Sequence, residues 1–250
     1  MAKPIIEVKN LIKKFGDFTA VDGISFDIEE GKITGLLGPN GAGKTTTIQM
    51  LLDIITPTSG EIRIFGMDMR HSREAILSQT NFSSPYVTLP QNLKVWENLK
   101  TFARLYGVPD INLKIKELAE FFGIENLLPK LTATLSTGQL ARLNLTKSLL
   151  NDPKLLLLDE PTSSLDPDIA DRVRKLLLQI RKERGVTMLY TSHNMAEIEE
   201  LCDRVIFINH GKVVDDGTPA ELVKKYGHED LNDVFLHIAR EGEMKASQNS

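Results

Sequence analysis

Hydrophobic residues along this chain follow two spacings, one typical of buried strands and one typical of helices. Short, mainly apolar runs bounded by turn residues occur at 5–9, 24–28, 32–37, 61–65, 155–158, 186–190 and 204–209. Helices are predicted at about 43–53, 166–183 and 194–201, and helical spacing dominates 85–150, as at Leu93, Trp96 and Leu99. Apolar strands that alternate with helices predict a mostly parallel sheet covered on both faces. We therefore expect an α/β core, about 1–84 and 151–225, interrupted by a helical segment.

A glycine-rich segment follows the predicted strand at 32–37 and precedes a predicted helix. Its residues are Gly38, Pro39, Asn40, Gly41, Ala42, Gly43, Lys44, Thr45 and Thr46. Two glycines five residues apart, followed by Lys and Thr between a strand and a helix, form the pattern of a phosphate-binding loop. Backbone N–H groups would surround the β-phosphate, Lys44 would reach the β- and γ-phosphates, and the Thr45 hydroxyl would face Mg²⁺. The segment predicts a site for a nucleotide with Mg²⁺.

Two carboxylates, Asp159 and Glu160, follow the apolar run at 155–158. They would lie at the carboxyl end of a buried strand, where open α/β sheets bind ligands. Asp159 is the expected Mg²⁺ ligand, because hard cations prefer oxygen. Glu160 can polarise the water that attacks the γ-phosphate, a reaction that depends mostly on positioning and charge stabilisation.

The segment Leu135-Ser136-Thr137-Gly138-Gln139 lies directly before a predicted helix, between the phosphate loop and the acidic pair. Here the chain resembles the ATP-binding cassette (ABC) family, whose signature is Leu-Ser-Gly-Gly-Gln, over roughly 5–225. The resemblance implies a P-loop NTPase core with a mostly parallel sheet, an N-terminal antiparallel β subdomain and an α-helical subdomain inserted at about 85–150. It also implies an ATPase, with ATP and Mg²⁺ as its ligands.

The same resemblance implies that two cassettes pair head to tail as a homodimer or a paralogous heterodimer. Each signature, through Ser136, Gly138 and Gln139, would close on the ATP held by the other subunit's phosphate loop. Thr137 takes the place of the first signature glycine, and a β-branched residue tolerates positive φ poorly. Either this position needs no glycine here or the clamp is weakened; the retained Ser136 and Gly138 favour the former.

Three further positions match the family. Phe15 takes the place of the adenine-stacking aromatic, with a buried core phenylalanine as the alternative. Asp166 ends a segment, 163–166, that resembles the loop crossing the dimer interface. His193 follows a predicted strand and resembles the switch histidine that contacts the γ-phosphate.

The family's loop glutamine, which joins the core to the helical insertion, has no clear counterpart. Counting back eight residues from Leu93 reaches Pro85, while Gln79 is too early and Gln91 too late. Either Ser84 substitutes for the glutamine or Gln79 enters the site through a local shift.

The amino-acid composition limits the kinds of partner that are expected for this chain. The net charge is −4, and no run of Lys and Arg has the length of a nucleic-acid patch, so no nucleic-acid partner is expected. The single cysteine, Cys202, has no partner for an internal disulfide and no metal-ligand spacing around it, which indicates a reducing compartment. No apolar segment approaches the roughly 18–20 residues needed to span a bilayer. If the protein works at a membrane, another chain must supply the spanning helices. The resemblance to the ABC family implies that this partner is an integral membrane permease, with the present chain peripheral at the cytoplasmic face of the cell membrane.

The sequence is compatible with several kinds of ABC protein. A terminal helix at about 229–240, followed by a flexible tail at 241–250, resembles that of cassettes paired with ABC-2-type exporters, although a capping helix or a short importer cassette would look similar. Translation ATPases of the family generally carry two cassettes, and its DNA-repair ATPases insert long heptad coiled coils that this chain lacks. A cassette that binds ATP but hydrolyses it poorly is a third alternative. Glu160 and His193 argue against it, whereas Thr137 and the unassigned glutamine keep this alternative open.

Overall fold

The computed structural model describes residues 4–84, 88–163 and 165–248 of the chain. They form two compact units. The first unit comprises Met1–Ile76 with Thr187–Ser250, and the second unit is Leu77–Val186. The sequence pattern set apart only 85–150, whereas the second unit also contains a strand before that stretch and a strand and a helix after it.

The elements are numbered in chain order within the described residues. The strands are β1 Pro4–Phe15, β2 Phe18–Glu29, β3 Ile33–Leu37, β4 Ser59–Ile64, β5 Met67–Asp68, β6 Thr80–Ser83, β7 Leu155–Asp159, β8 Thr187–Thr191, β9 Arg204–Asn209 and β10 Lys212–Gly217. The helices are α1 Lys44–Leu51, α2 Met69–Leu77, α3 Val95–Leu105, α4 Ile111–Phe122, α5 Thr137–Ser148, α6 Pro167–Arg184, α7 Met195–Leu201, α8 Pro219–Tyr226 and α9 Leu231–Gln248. The chain contains helices, parallel strands and antiparallel strands, which confirms the predicted α/β class.

An antiparallel sheet in the order β2-β1-β4-β5 forms the N-terminal part of the first unit. Its first two strands are much longer than the short runs predicted at 5–9 and 24–28. The pairing of β1 with β2 passes through irregularities, one of them between Val8 and Leu11. There Asn10 adopts a left-handed φ of 47°, and its N–H donates to Ser25 Oγ at 2.8 Å. A bulge of this kind interrupts the two-residue alternation while the ladder continues, so the pattern alone shortened both strands.

A second set of strands in the first unit carries the phosphate loop. β3 pairs in parallel with β8 on one side and with β9 on the other, and β10 pairs antiparallel with β9 at the edge. Every residue of β3 is buried, as is every residue of β8. Strands buried on both faces show continuous apolar runs, which is why the sequence revealed them. β10 has alternating exposure and a polar sequence, and it was not predicted.

The second unit combines a parallel strand pair with helices. β6 and β7 run in parallel, with Thr80 opposite Leu155 and Ser83 opposite Leu158. All of β7 is buried, as its apolar sequence predicted. The stretch predicted to be helical contains α3, α4 and α5, and their buried side includes Leu99.

The C-terminal helix α9 packs within the first unit through Leu231, Val234 and Ile238, all of them buried. Asn209 Nδ2 donates to the carbonyl of Ile238 at 2.9 Å, which fixes the helix against the end of β9. The helix continues beyond residue 240, where the sequence pattern put its end. Among the described helices, none combines the length and the apolar character needed to cross a membrane.

Candidate nucleotide-binding site

The segment from Gly38 to Gly43 connects β3 to α1 in a tight loop. Within it, Ala42 N–H donates to the Pro39 carbonyl at 3.1 Å, and Gly43 takes a left-handed conformation with φ 104° just before the helix. α1 begins at Lys44, and no side chain of the described residues caps it. The first N–H groups of a helix have no partner within the helix, so this end can receive an anion.

Two of the loop glycines are required by close backbone contacts. A Cβ atom on Gly38 would lie 2.0 Å from the carbonyl oxygen of Ile208, and one on Gly43 would lie 2.6 Å from that of Ala20. The loop is also tied to the turn between β9 and β10, because Gly211 N–H donates to the Ala42 carbonyl at 3.0 Å. The neighbouring strands therefore hold the loop in one shape, and no side chain fits at these two positions.

The Lys44 side chain folds back over the loop. It is 7% exposed, and its Nζ donates to the carbonyls of Gly38 at 2.7 Å and Pro39 at 3.1 Å. The ammonium therefore already lies inside the loop that would surround a phosphate. Thr45 follows it on the first turn of α1 and is exposed, so its hydroxyl oxygen can serve as a ligand for a hard cation.

Phe15 lies at the tip of the β1–β2 hairpin. It pairs across the turn with Phe18, and the two side chains are 49% and 64% exposed. The alternative interpretation of Phe15 as a core residue is therefore wrong. β2 runs from Phe18 to Ala20, whose carbonyl faces Gly43. The hairpin tip is therefore separated from the phosphate loop by about two residues of β2.

The acidic pair lies at the end of β7 in the second unit. Asp159 is the last residue of the strand and is 7% exposed. Glu160 has a left-handed backbone with φ 50°, and its carbonyl accepts a hydrogen bond from Ser163 N–H at 3.0 Å. A non-glycine residue in this conformation stores about 1–3 kcal/mol of strain, and such strain is concentrated at functional sites. The turn thus fixes the direction in which the Glu160 side chain leaves the strand.

The signature segment forms the start of α5. Ser136 is the N-cap: its Oγ accepts from Gln139 N–H at 3.4 Å, and Gln139 Oε1 accepts from Ser136 N–H at 3.1 Å. Thr137 is the first helical residue. Its φ is not left-handed, so the β-branched side chain causes no backbone strain there. Gly138 is buried, and a Cβ there would lie 2.9 Å from Ile169 Cγ2 on α6. Gly138 therefore packs closely against α6, and the backbone at Thr137 is one that threonine adopts without strain.

Two further predicted residues occupy loop ends. His193 is exposed between β8 and α7, as the sequence indicated. Asp166 is the exposed N-cap residue of α6. Ser164, which belongs to the same predicted interface loop, lies outside the described residues.

Comparison with known proteins agrees with this arrangement. The family model described as ABC transporter matches residues 21–163 of the chain. The chain belongs to the ABC transporter family. Within it, the chain is 39% identical over 237 residues to the Escherichia coli K12 protein named "Probable multidrug ABC transporter ATP-binding protein YbhF", covering 94% of this chain and 41% of YbhF. The chain thus spans about two-fifths of that relative's length.

A second ABC relative is the bacitracin transport ATP-binding protein BcrA of Bacillus licheniformis. It is 39% identical over 221 residues, which cover 88% of this chain and 72% of BcrA. Among solved structures, the chain is similar to cbiO1 from Clostridium perfringens, part of the ABC transporter complex cbiONQ, with 30% identity and a TM-score of 0.80 over 97% of this chain and 99% of cbiO1. The predicted family and its P-loop NTPase fold are therefore confirmed.

The loop glutamine of the ABC family remains without an assigned residue. Pro85 lies outside the described residues. Gln79 precedes β6, and its carbonyl accepts from Lys154 and Leu155 N–H groups. Ser84 and Gln91 both line a cavity of about 300 Å³ within the second unit. The alternatives that the sequence left open, Ser84 and Gln79, therefore both stay open.

Sequence reasoning missed two side chains that support predicted site residues. Lys13 lies over the Phe15 ring, and Glu197 accepts hydrogen bonds beside the His193 loop. Glu197 could have been noticed, because it is four residues before the buried Leu201 and so shares the buried side of α7. A carboxylate among apolar positions of a helix is unusual and calls for polar partners.

Proposed function

We propose that this chain binds and hydrolyses Mg²⁺-ATP as one of two paired cassettes that drive transport, in the direction of export, through a separate membrane permease. The observation that carries the proposal is the cradle at 38–45, where close backbone contacts exclude side chains and the Lys44 ammonium lies on the loop carbonyls. Such a loop suits an anionic phosphate group, because the first N–H groups of α1 have no side-chain cap among the described residues and the Lys44 ammonium lies within the same loop.

Each step of hydrolysis has a candidate residue. On ATP binding, Lys44 exchanges the carbonyls of Gly38 and Pro39 for the β- and γ-phosphate oxygens. Thr45 and Asp159 would hold Mg²⁺, which offsets phosphate charge when bound; both offer the oxygen ligands that this ion prefers. Glu160 orients the water whose oxygen bonds to the γ-phosphorus while the bond to the β-phosphate oxygen breaks, giving ADP and phosphate.

The remaining site residues would complete the pair. His193 would contact the γ-phosphate, and Phe15 would stack against the adenine. Ser136, Gly138 and Gln139 would face the ATP of the partner cassette, where the positive end of α5 favours an anion. Asp166 would lie in the loop that crosses between the two cassettes. A homodimer and a pair with a paralogue are both compatible with these roles.

The names of the relatives support a transport role. BcrA is named for bacitracin transport, and YbhF for a multidrug transporter. We infer by analogy that an integral membrane permease receives the motion of the paired cassettes, and that the chain works at the cytoplasmic face of the cell membrane. Expression with the membrane protein encoded by an adjacent reading frame tests this: ATP turnover that rises at least twofold in the copurified complex supports it, and turnover indifferent to every such protein contradicts it.

Hydrolysis itself is tested with Glu160→Gln, which removes the negative charge and keeps the side-chain shape. We expect Mg²⁺-dependent turnover to fall at least a hundredfold while ATP still binds, because the variant loses water activation but not the cradle. The exposed Glu125 of the same unit provides a matched control, and Glu125→Gln should keep wild-type turnover. Equal turnover in wild type and Glu160→Gln would reject Glu160 as the catalytic group. ATP binding without turnover in the wild type would instead indicate a switch.

A further inference from the structure

A buried carboxylate lies beside the loop that carries His193. Glu197, on α7, is 3% exposed. Its Oε2 accepts one hydrogen bond from the Tyr190 hydroxyl at 3.1 Å and another from Ser192 Oγ at 3.0 Å. Tyr190 and Ser192 are themselves buried, on β8 and directly after it. The carboxylate therefore joins the end of β8 to the first turns of α7.

The hydrogen bonds continue on the other side of His193. Asn194 N–H donates to Ser192 Oγ at 3.0 Å, so this hydroxyl accepts from residue 194 while it donates to Glu197. Asn194 in turn caps α7, because its Oδ1 accepts from Ala196 N–H at 3.2 Å. The two residues that flank His193 are thus linked through one hydroxyl, and that hydroxyl is oriented by Glu197.

Fold stability alone gives little reason for an acid at this position. A buried carboxylate loses its hydration, and hydrogen bonds offset that cost only in part. Apolar residues of similar volume at such positions are often neutral or stabilising. What the acid supplies and an apolar residue cannot is an acceptor that fixes the rotation of the Ser192 hydroxyl, and with it the backbone on which His193 is carried.

We infer that Glu197 is a positioning residue that acts on ATP hydrolysis through His193. The inference rests on the proposed contact of His193 with the γ-phosphate. Glu197 holds Ser192, Ser192 holds Asn194, and the exposed imidazole between them is thereby kept in one direction before nucleotide arrives. Prior orientation of this kind raises turnover without adding a contact to ATP, so its loss lowers kcat and leaves binding unchanged.

The test is a double-mutant cycle between positions 197 and 193. We expect Glu197→Leu to lower kcat at least tenfold with KM and ATP affinity unchanged, since misplacement of a catalytic group commonly costs about that much or more. Glu197→Gln retains an oxygen acceptor and should stay within about threefold of wild type. In the His193→Ala background, Glu197→Leu should cause no further loss, because an effect transmitted through the imidazole disappears with it.

Two smaller changes keep the test decisive if Glu197→Leu folds poorly. Ser192→Ala breaks the chain at its centre and should reproduce the loss of kcat. Tyr190→Phe removes the other hydrogen bond to the same oxygen, away from His193, and should keep turnover within about twofold of wild type. If Ser192→Ala lowers kcat by the same factor in the wild type and in His193→Ala, the positioning role is overturned while His193 remains catalytic. Wild-type turnover in His193→Ala would instead overturn the proposed role of His193 and this inference together.

Discussion

The Lys13 ammonium lies 4.9 Å from the centroid of the Phe15 ring and donates a hydrogen bond to the Thr56 carbonyl at 2.8 Å. The carbonyl fixes the ammonium, and the ammonium favours one orientation of a ring that is otherwise half exposed. A tip residue of a hairpin is thereby held in place before any ligand binds. This arrangement suits a ring that stacks against a nucleotide base.

Removal of the Phe15 ring should weaken ATP binding. Stacking of a base on an aromatic side chain is worth about 1–3 kcal/mol, so Phe15→Ala should raise the Kd for ATP roughly tenfold. Isothermal titration calorimetry measures the change. Phe18, paired with Phe15 and more exposed, is the matched control, and Phe18→Ala should change the Kd less than about twofold. A larger effect from Phe18→Ala would identify Phe18 as the stacking residue.

Loss of the Lys13 charge should have a smaller effect on the same binding. A cation above an aromatic ring at an exposed site contributes about 0.5–1 kcal/mol, so Lys13→Met should raise the Kd for ATP about two- to fivefold. In Phe15→Ala, the Lys13→Met change should have no further effect, because the ring that it orients is gone. Additive losses would show that Lys13 contacts the nucleotide itself.

Substitution of different loop glycines by alanine should lower the stability of the fold by different amounts. In Gly38→Ala, the new Cβ would meet a backbone oxygen at 2.0 Å, so the loop and β9 must separate; we expect the free energy of unfolding to fall by more than about 2 kcal/mol. Gly41 has φ 79° and open space around it, so Gly41→Ala should cost only about 1 kcal/mol. Urea denaturation compares the two. Equal losses would mean that the contact with Ile208 does not constrain the loop.

Lys147, on α5, should make stability depend on pH in an alkaline window. The side chain is 6% exposed, its Nζ donates to the Phe82 carbonyl at 3.1 Å, and it lies 5.6 Å from the Phe102 ring centroid. Burial lowers the pKa of Lys147 from its ordinary value of 10.5 to about 8. The folded chain therefore releases this proton near pH 8, whereas the unfolded chain keeps it until about pH 10.5.

Between these values the unfolded state binds more protons, so stability contributed by Lys147 rises with pH. Below pH 8 the buried charge carries its full cost, which is on the order of 3 kcal/mol. Relative to Lys147→Met, which has no proton to lose, the wild type should gain about that much stability between pH 7.5 and 10. Urea denaturation of both proteins across this range provides the measurement. A difference that does not change with pH would contradict burial of the charged form.

The sequence predicted the parts of the fold that depend on local pattern. The buried strands β7 and β9 appear as unbroken apolar runs, and the loop at 38–45 is marked by its glycines. Strands whose alternation is broken were shortened, as at the Asn10 bulge, because a bulge depends on pairing with a distant strand. β10 escaped prediction because an edge strand can be polar on both faces.

The residues of the candidate site also differ in whether the sequence alone could reveal them. Residues proposed to act through their own chemistry, such as Lys44 and Glu160, belong to motifs and could be named from the sequence. Residues that act on a neighbour, such as Lys13 and Glu197, could not, because their partners are defined only by the folded geometry. Thr137 required the structure for a different reason: only the helix start at that position shows why threonine is accepted.

The mass of Glu160→Gln in solution shows whether two cassettes enclose ATP between a phosphate loop and a signature. Light scattering with and without Mg²⁺-ATP measures that mass while hydrolysis is blocked. We expect a monomer without nucleotide and a dimer with it, and we expect the Glu160→Gln protein with an added Ser136→Arg substitution to remain monomeric when ATP is bound. A Glu160→Gln protein that stays monomeric when saturated with ATP, or one that still dimerises after Ser136→Arg is added, would contradict the proposed pairing of two cassettes around ATP.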